Sequence, residues 1–343
     1  MTDKDRVLKI YRHQADGADG GVFWTGHPAD ETIPIYAEQW GIEPTREAIY
    51  QFLGDPIRWV NADAAYRNPR EGRPLFDPEW GMEEGRHGNA APGCFEHAKT
   101  VADIEAYPWP DPDDWDFTDI YREIEAYGDK LVLSGPWCPF FNHLSSMFGM
   151  ENYFIAMYEQ PELVEAATEL MVDALVAACD KFFAGLGDRA DVMFFGNDFG
   201  TQFDLMISPD AFRRFVLPSM KRIIAVGKKY HKIVQLHSCG SMYRVIPDLI
   251  EAGLDALHPL QALAAGMSAA ELAQYKNDLV FVGGIDAQSL FPFGSPEDIK
   301  AEVRRVRGLL GPNIIISPSH EEILPNVPAA NILAMAQEAV RQF

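Results

Sequence analysis

The sequence predicts an α/β fold: a (β/α)8 TIM barrel with an N-terminal extension and a long loop after the second strand. Eight short β-branched or aromatic runs alternate with longer helical stretches. The segments VMFF, VFV and IIIS are continuously apolar, as suits strands buried on both faces of a parallel sheet. The runs end in Gly, Asp, His or Cys, the residue types that line the carboxyl end of such a barrel. No fixed-period repeat competes with this reading. The 343 residues are therefore read as one domain.

Residues 1–20 are charged and lack an apolar signal core, so they read as an extension and the protein as cytoplasmic. The predicted strands follow at 21–26 (GVFWTG), 57–63 (IRWVNAD), 130–137 (KLVLSGPW), 191–198 (DVMFFGND), 232–239 (KIVQLHSC), 256–261 (ALHPLQ), 279–286 (LVFVGGID) and 313–320 (NIIISPSH). Residues 64–107 are Pro/Gly-rich and weakly periodic, and read as an elaborated loop. Ser208-Pro209-Asp210 opens a long helix, because Ser caps and Pro fits the first turn; Pro218 should kink it. Ser295-Pro296-Glu297-Asp298 opens another, ending at Gly311. Residues 328–343 form the closing helix.

Charge narrows the partners. Lys and Arg total 29, Asp and Glu 51, for a net charge of −22. That opposes nucleic acid and anionic membranes, which need basic surface. No apolar run approaches the roughly 18 residues that span a bilayer. Four cysteines in this length do not make a disulfide framework. A small-molecule substrate fits best.

His237-Ser238-Cys239 is the sharpest motif. At strand spacing, residues two apart face the same side, so an imidazole and a thiol meet at the barrel mouth. That is a zinc-type pair. His320, ending the last strand, is the candidate third metal ligand, with Asp198, Cys138 or solvent in the fourth position. A hydrogen-bonded His beside an inert Cys is the structural alternative. Asp198 is a candidate catalytic carboxylate and metal ligand, or an Asx-turn residue; His320 is the other catalytic candidate. His27, Asp63, Trp137, Asn197, Gln202 and Asp286 are candidate substrate contacts; Asp286 also suits a helix cap. Trp24, Trp59, Trp137, Phe195 and Phe199 form an aromatic wall or core. Arg58, Arg67, Arg70 and Arg73 can clamp a carboxylate. His258 and Cys94 stay open, and Cys179 reads as core. Walker A, GxGxxG after the first strand and GxSxG are absent from the sequence, which disfavours nucleotide-driven chemistry and serine hydrolysis.

The runs FFGNDFGTQFDLMISPDAFRRFVLPSMKRII, VQLHSCGSMYRVIPDLIEAGLDALHPLQ, VGGIDAQSLFPFGSPEDIKAEVRR and IISPSHEEILPNVPAANILAM resemble the uroporphyrinogen decarboxylase superfamily. The resemblance covers about 190–343 closely and 20–160 more loosely. It implies a barrel with its site at the carboxyl ends of the strands. One branch decarboxylates without metal, an Asp holding pyrrole N–H groups and N-terminal arginines the acid side chains. The other comprises cobalamin-dependent methyltransferases of the methylcobalamin:coenzyme M type, with zinc on an HxC pair and a later Cys. His237 and Cys239 resemble that second branch, while Pro318-Ser319-His320 stands where its later Cys would be. The resemblance implies a zinc methyltransferase, working with methylcobalamin on a corrinoid protein or with free cobalamin, and a homodimer. Cofactor-free decarboxylation and a non-catalytic tetrapyrrole-binding barrel are the alternatives.

Overall fold

The computed structural model describes residues 1–66 and 93–342. Eight parallel strands form one curled sheet: β1 (Val22–Phe23), β2 (Ile57–Asn61), β3 (Leu131–Gly135), β4 (Val192–Gly196), β5 (Ile233–His237), β6 (Ala256–Leu260), β7 (Val280–Ile285) and β8 (Ile314–Pro318). Each lies inside its sequence-predicted run. The spatial order is β1-β8-β7-β6-β5-β4-β3-β2, with helices between consecutive strands. This is the predicted α/β barrel architecture.

Among the described residues, β1 and β2 share no backbone ladder; a side chain bridges them instead. Asp55 accepts the Thr25 N–H at 2.6 Å and the Ile57 N–H at 2.8 Å. Arg58 braces the same corner. It is 1% exposed, donates to the Asp55 and Ile57 carbonyls, and pairs with Glu47 at 2.7 Å. Arg58 was a candidate substrate clamp, but its guanidinium is consumed by the scaffold. Arg67, Arg70 and Arg73 lie outside the described residues, as does most of the 64–107 loop.

Strand alternation explains the uninterrupted apolar runs. Val22, Trp24, Leu133, Phe194, Ala256, Val282 and Ile315 fill the barrel interior. Phe23, Val132, Phe195, Leu236, Leu257 and Phe281 face the helical layer. Both faces of each strand are thus buried. The extension is a helix, Asp3–Tyr11, whose Val7, Ile10 and Tyr11 join the interior cluster and plug its lower end. Tyr11 Oη donates to Gln235 Oε1 at 2.6 Å. Two residues along β5, on the same inward face, stands His237.

The predicted helix from Ser208 begins as expected, with Ser208 Oγ accepting the Ala211 N–H. It then passes through a π-helical stretch, Phe212–Val216, before Leu217–Lys229. Pro218 has no N–H and its ring would clash with a regular turn, so the extra residue falls just before it. Ser295 caps Pro296–Leu310 through a reciprocal box with Asp298. Among the described residues, no helix is long and apolar enough to cross a membrane.

Candidate metal centre at the barrel mouth

The site is built where β4, β5 and β8 end. His237 is the last residue of β5, and Cys239 follows after one residue. Their Nε2 and Sγ atoms are 3.4 Å apart. Asp198, in the loop after β4, reaches over: its Oδ1 accepts the Cys239 N–H at 2.8 Å and lies 3.5 Å from His237 Nε2. Gly240 makes this approach possible. Its φ is +84°, and a Cβ there would sit 2.4 Å from the Gly200 carbonyl oxygen. Only glycine lets the two loops touch backbone to backbone.

The ligand atoms of Asp198, His237 and Cys239 all lie within 4.8 Å of one another. His320 stands outside that compact group. Its ring is edge-on to His237 at 6.4 Å between centroids, and it hydrogen-bonds the Cys239 side chain. Its Nδ1 accepts the Glu322 N–H at 3.1 Å, which leaves Nε2 for the Cys239 side chain.

The other edge of the His237 ring is held separately. Its Nδ1 lies 3.1 Å from His258 Nδ1 and 3.4 Å from Glu321 Oε2. These three residues form a second group of potential ligands, also within 4.8 Å, sharing His237. Burial and the neighbouring His237 charge push the His258 pKa well down, so its ring is neutral and can accept a proton from His237 Nδ1. Such an outer hydrogen bond fixes the tautomer and aims the Nε2 lone pair at Cys239 and Asp198.

Electrostatics follow from this packing. Burial opposes a charge on His237, but Glu321, Cys239 and Asp198 outweigh it and raise its pKa to about 10. Burial likewise works against Cys239 ionisation, yet the His237 charge and hydrogen bonds from His237 and His320 lower its pKa. Glu321 is driven down to about 2 against its own burial by His237, then His320 and His258. Without metal, these shifts favour an imidazolium at His237 and a thiolate at Cys239.

An aromatic floor supports it. The Trp137 ring packs on His237 at 5.3 Å, and Phe194 touches Trp24, Trp59, Trp137, His237 and His258. Gly196 leaves room for Trp137: a Cβ there would meet the ring at 2.2 Å. Of the proposed aromatic wall, Trp24, Trp59 and Trp137 belong to this floor, whereas Phe195 and Phe199 are buried in the outer layer.

The remaining candidates divide. His27 reaches the mouth: its N–H donates to the Glu321 carbonyl, and its ring meets Trp59 edge-on at 5.6 Å. Burial, then Arg46, lowers its pKa to about 4, so it is neutral. Asn197 is 1% exposed and spent as a brace, accepting the Phe141 N–H and donating to the Cys138 carbonyl. Asp63 accepts the Trp137 N–H at 3.0 Å and ties the β2 and β3 ends together. Asp286 caps the turn after β7 through the N–H groups of Gln288, Ser289 and Leu290. Gln202 is exposed at the rim. Cys138 does not complete the centre: it is buried, with its Sγ 3.3 Å from Cys179 Sγ. Sequence reasoning missed Glu321, and its signal was slight: an acid directly after His320.

Comparison with known proteins agrees with this architecture. A methylated-thiol–coenzyme M methyltransferase from Methanosarcina mazei is 26% identical over 156 residues, 46% of this chain. The match spans only 39% of that relative's length. A solved structure, a methyltransferase from Methanosarcina mazei, superposes with a TM-score of 0.67 at 16% identity, covering 98% of this chain and 97% of that one. At that identity the likeness speaks for the fold. The uroporphyrinogen decarboxylase (URO-D) family model matches residues 79–343, and the chain belongs to that family.

Proposed function

We propose that the protein is a methyltransferase, moving a methyl group between a small substrate and a cobalamin carried by a corrinoid partner, at a zinc centre on His237, Cys239 and Asp198. The observation that carries this reading is the convergence of imidazole, thiol and carboxylate ligand atoms within 4.8 Å. One nitrogen from the end of β5, with one sulfur and one oxygen from the loops after β5 and β4, suit zinc, and a three-ligand site leaves a position for substrate. When bound, zinc would hold a substrate sulfur or oxygen as a Lewis acid and lower its pKa.

The chain's own residues prepare that position. His258 and Glu321 hold His237 by Nδ1, so Nε2 faces the centre. The Asp198 carboxylate is pinned by the Cys239 N–H. His320 hydrogen-bonds the Cys239 side chain and is the candidate fourth ligand or proton carrier. The relative named for methyl transfer from methylated thiols supports the same reaction class. Of the arginines that the decarboxylation alternative could use to hold a carboxylate, Arg58 is taken up by the scaffold, while the loop arginines lie outside the described residues.

The test is methyl transfer from methylcobalamin to a small thiol, followed by the change in cobalamin absorbance. Zinc-loaded protein should accelerate the reaction, and His237→Ala should lower the rate by about 100-fold or more. Full activity in a metal-free His237→Ala variant would sink the proposal.

A further inference from the structure

Behind the His237 ring lies a second group of donor atoms, distinct from Cys239 and Asp198. His237 and His258 are register partners on β5 and β6, and their Nδ1 atoms meet at 3.1 Å. The loop after β8 brings Glu321 Oε2 to 3.4 Å from His237 Nδ1. The three ligand atoms all lie within 4.8 Å of one another. Two donors held by one zinc at roughly 2.0–2.2 Å in tetrahedral geometry stand about 3.3–3.6 Å apart. The observed 3.1 and 3.4 Å are close to that spacing.

The group is short of protons. When His237 Nε2 ligates a metal, the ring is left with one proton, on Nδ1. That proton faces two acceptors, His258 Nδ1 and Glu321 Oε2. Glu321 Oε2 is sealed from solvent and accepts no hydrogen bond. The cationic groups it meets are imidazoles, His237 and, at 3.8 Å, His320. His258 is fully buried between Trp24 and Phe194, away from solvent. A buried lone pair without a donor is costly. A metal ion in place of the Nδ1 proton satisfies all three atoms at once.

We propose that His237 Nδ1, His258 Nδ1 and Glu321 Oε2 form a second site for a borderline divalent metal ion, zinc or cobalt(II), joined to the first by the His237 ring. Two imidazoles and a carboxylate suit such ions. An imidazole that has lost both ring protons carries a metal on each nitrogen, and the displaced Nδ1 proton leaves to solvent. The charges then balance: Asp198, Cys239, Glu321 and the His237 imidazolate offset two dications. The second site lacks a thiolate and costs a proton, so it fills after the first. As isolated, the chain keeps the first ion and loses the second. The second ion fixes the His237 ring more firmly than a shared proton does. Neither Cys239 nor Asp198 takes part, so only the bridge rests on the proposed zinc centre.

Cobalt(II) titration of the full-length, metal-stripped protein tests it, with bound metal counted by equilibrium dialysis and elemental analysis. The first equivalent should bring a thiolate-to-cobalt charge-transfer band, which reports Cys239. A second equivalent should add visible d–d absorption with no further thiolate band. Glu321→Gln should weaken the second equivalent by about tenfold or more and keep the thiolate band. His258→Gln should do the same, with the thermal melt of each variant confirming that it folds. Cys239→Ala should still take up one ion on titration, without the band. Wild-type saturation at one equivalent that brings the thiolate band overturns the inference, as does a second equivalent unchanged in Glu321→Gln. A single ion bound without the thiolate band and lost in Glu321→Gln would keep this site and sink the zinc centre on Cys239.

Discussion

His237 has two working edges because two different sets of neighbours meet it. His258 and Glu321 take Nδ1, while Cys239 and Asp198 face Nε2. The HxC spacing was legible in the sequence, since residues two apart on a strand share a face. Glu321 was not, because its reach depends on the path of the loop after β8. Asn197, Asp63 and Asp286 show a use of polar strand-end residues that the sequence does not announce. A polar residue at a strand end can serve a ligand or a backbone N–H, and only the fold decides. Here the N–H groups of Phe141, Trp137 and Gln288 claim them. One consequence is measurable on Cys239. Its lowered pKa keeps a thiolate present below the ordinary thiol range. In metal-free protein, peptide-resolved alkylation with iodoacetamide near pH 7 should modify Cys239 faster than exposed Cys94, and added zinc should slow only Cys239. Equal rates, or no protection by zinc, would contradict the geometry described.

Elements were the most legible level. All eight strands lie within their predicted runs, because burial on both faces demands unbroken apolar sequence. The join between β1 and β2 was invisible, since a carboxylate replaces the ladder there. Asp55 is fully buried, and burial, only partly offset by its hydrogen bonds with Thr25 and Ile57, raises its pKa to about 6 from 3.8. A raised folded-state pKa means the folded protein holds the proton more tightly than the unfolded chain. Its stabilising contribution is therefore full below pH 3.8 and is lost as pH rises through about 6. Relative to Asp55→Asn, the wild type should lose stability between pH ~4 and pH ~7, by an amount on the order of 1–3 kcal/mol. Urea unfolding of both proteins across that range measures it; a constant difference would remove Asp55 from the corner's titration.

At the scale of the whole molecule, the net charge of −22 acts on both partners and stability. Self-repulsion destabilises the compact state, and salt screens it. Raising ionic strength from about 0.01 M to about 0.15 M shortens the Debye length from ~30 Å to ~8 Å. The melting temperature should rise by a few degrees over that interval; an unchanged or lower value would mean the acidic groups are already neutralised by local pairs. The same charge works against a polyanion approaching the protein.

The central claim is that Asp198, His237 and Cys239 hold a metal on which methyl transfer depends. Elemental mass spectrometry of the purified protein, beside Cys239→Ala, tests it most directly. The expected result is about one zinc per chain, lost in the variant while its circular dichroism stays unchanged. Protein prepared without chelator that carries no zinc and takes none up on titration, or a Cys239→Ala variant that keeps its full complement, would contradict the account.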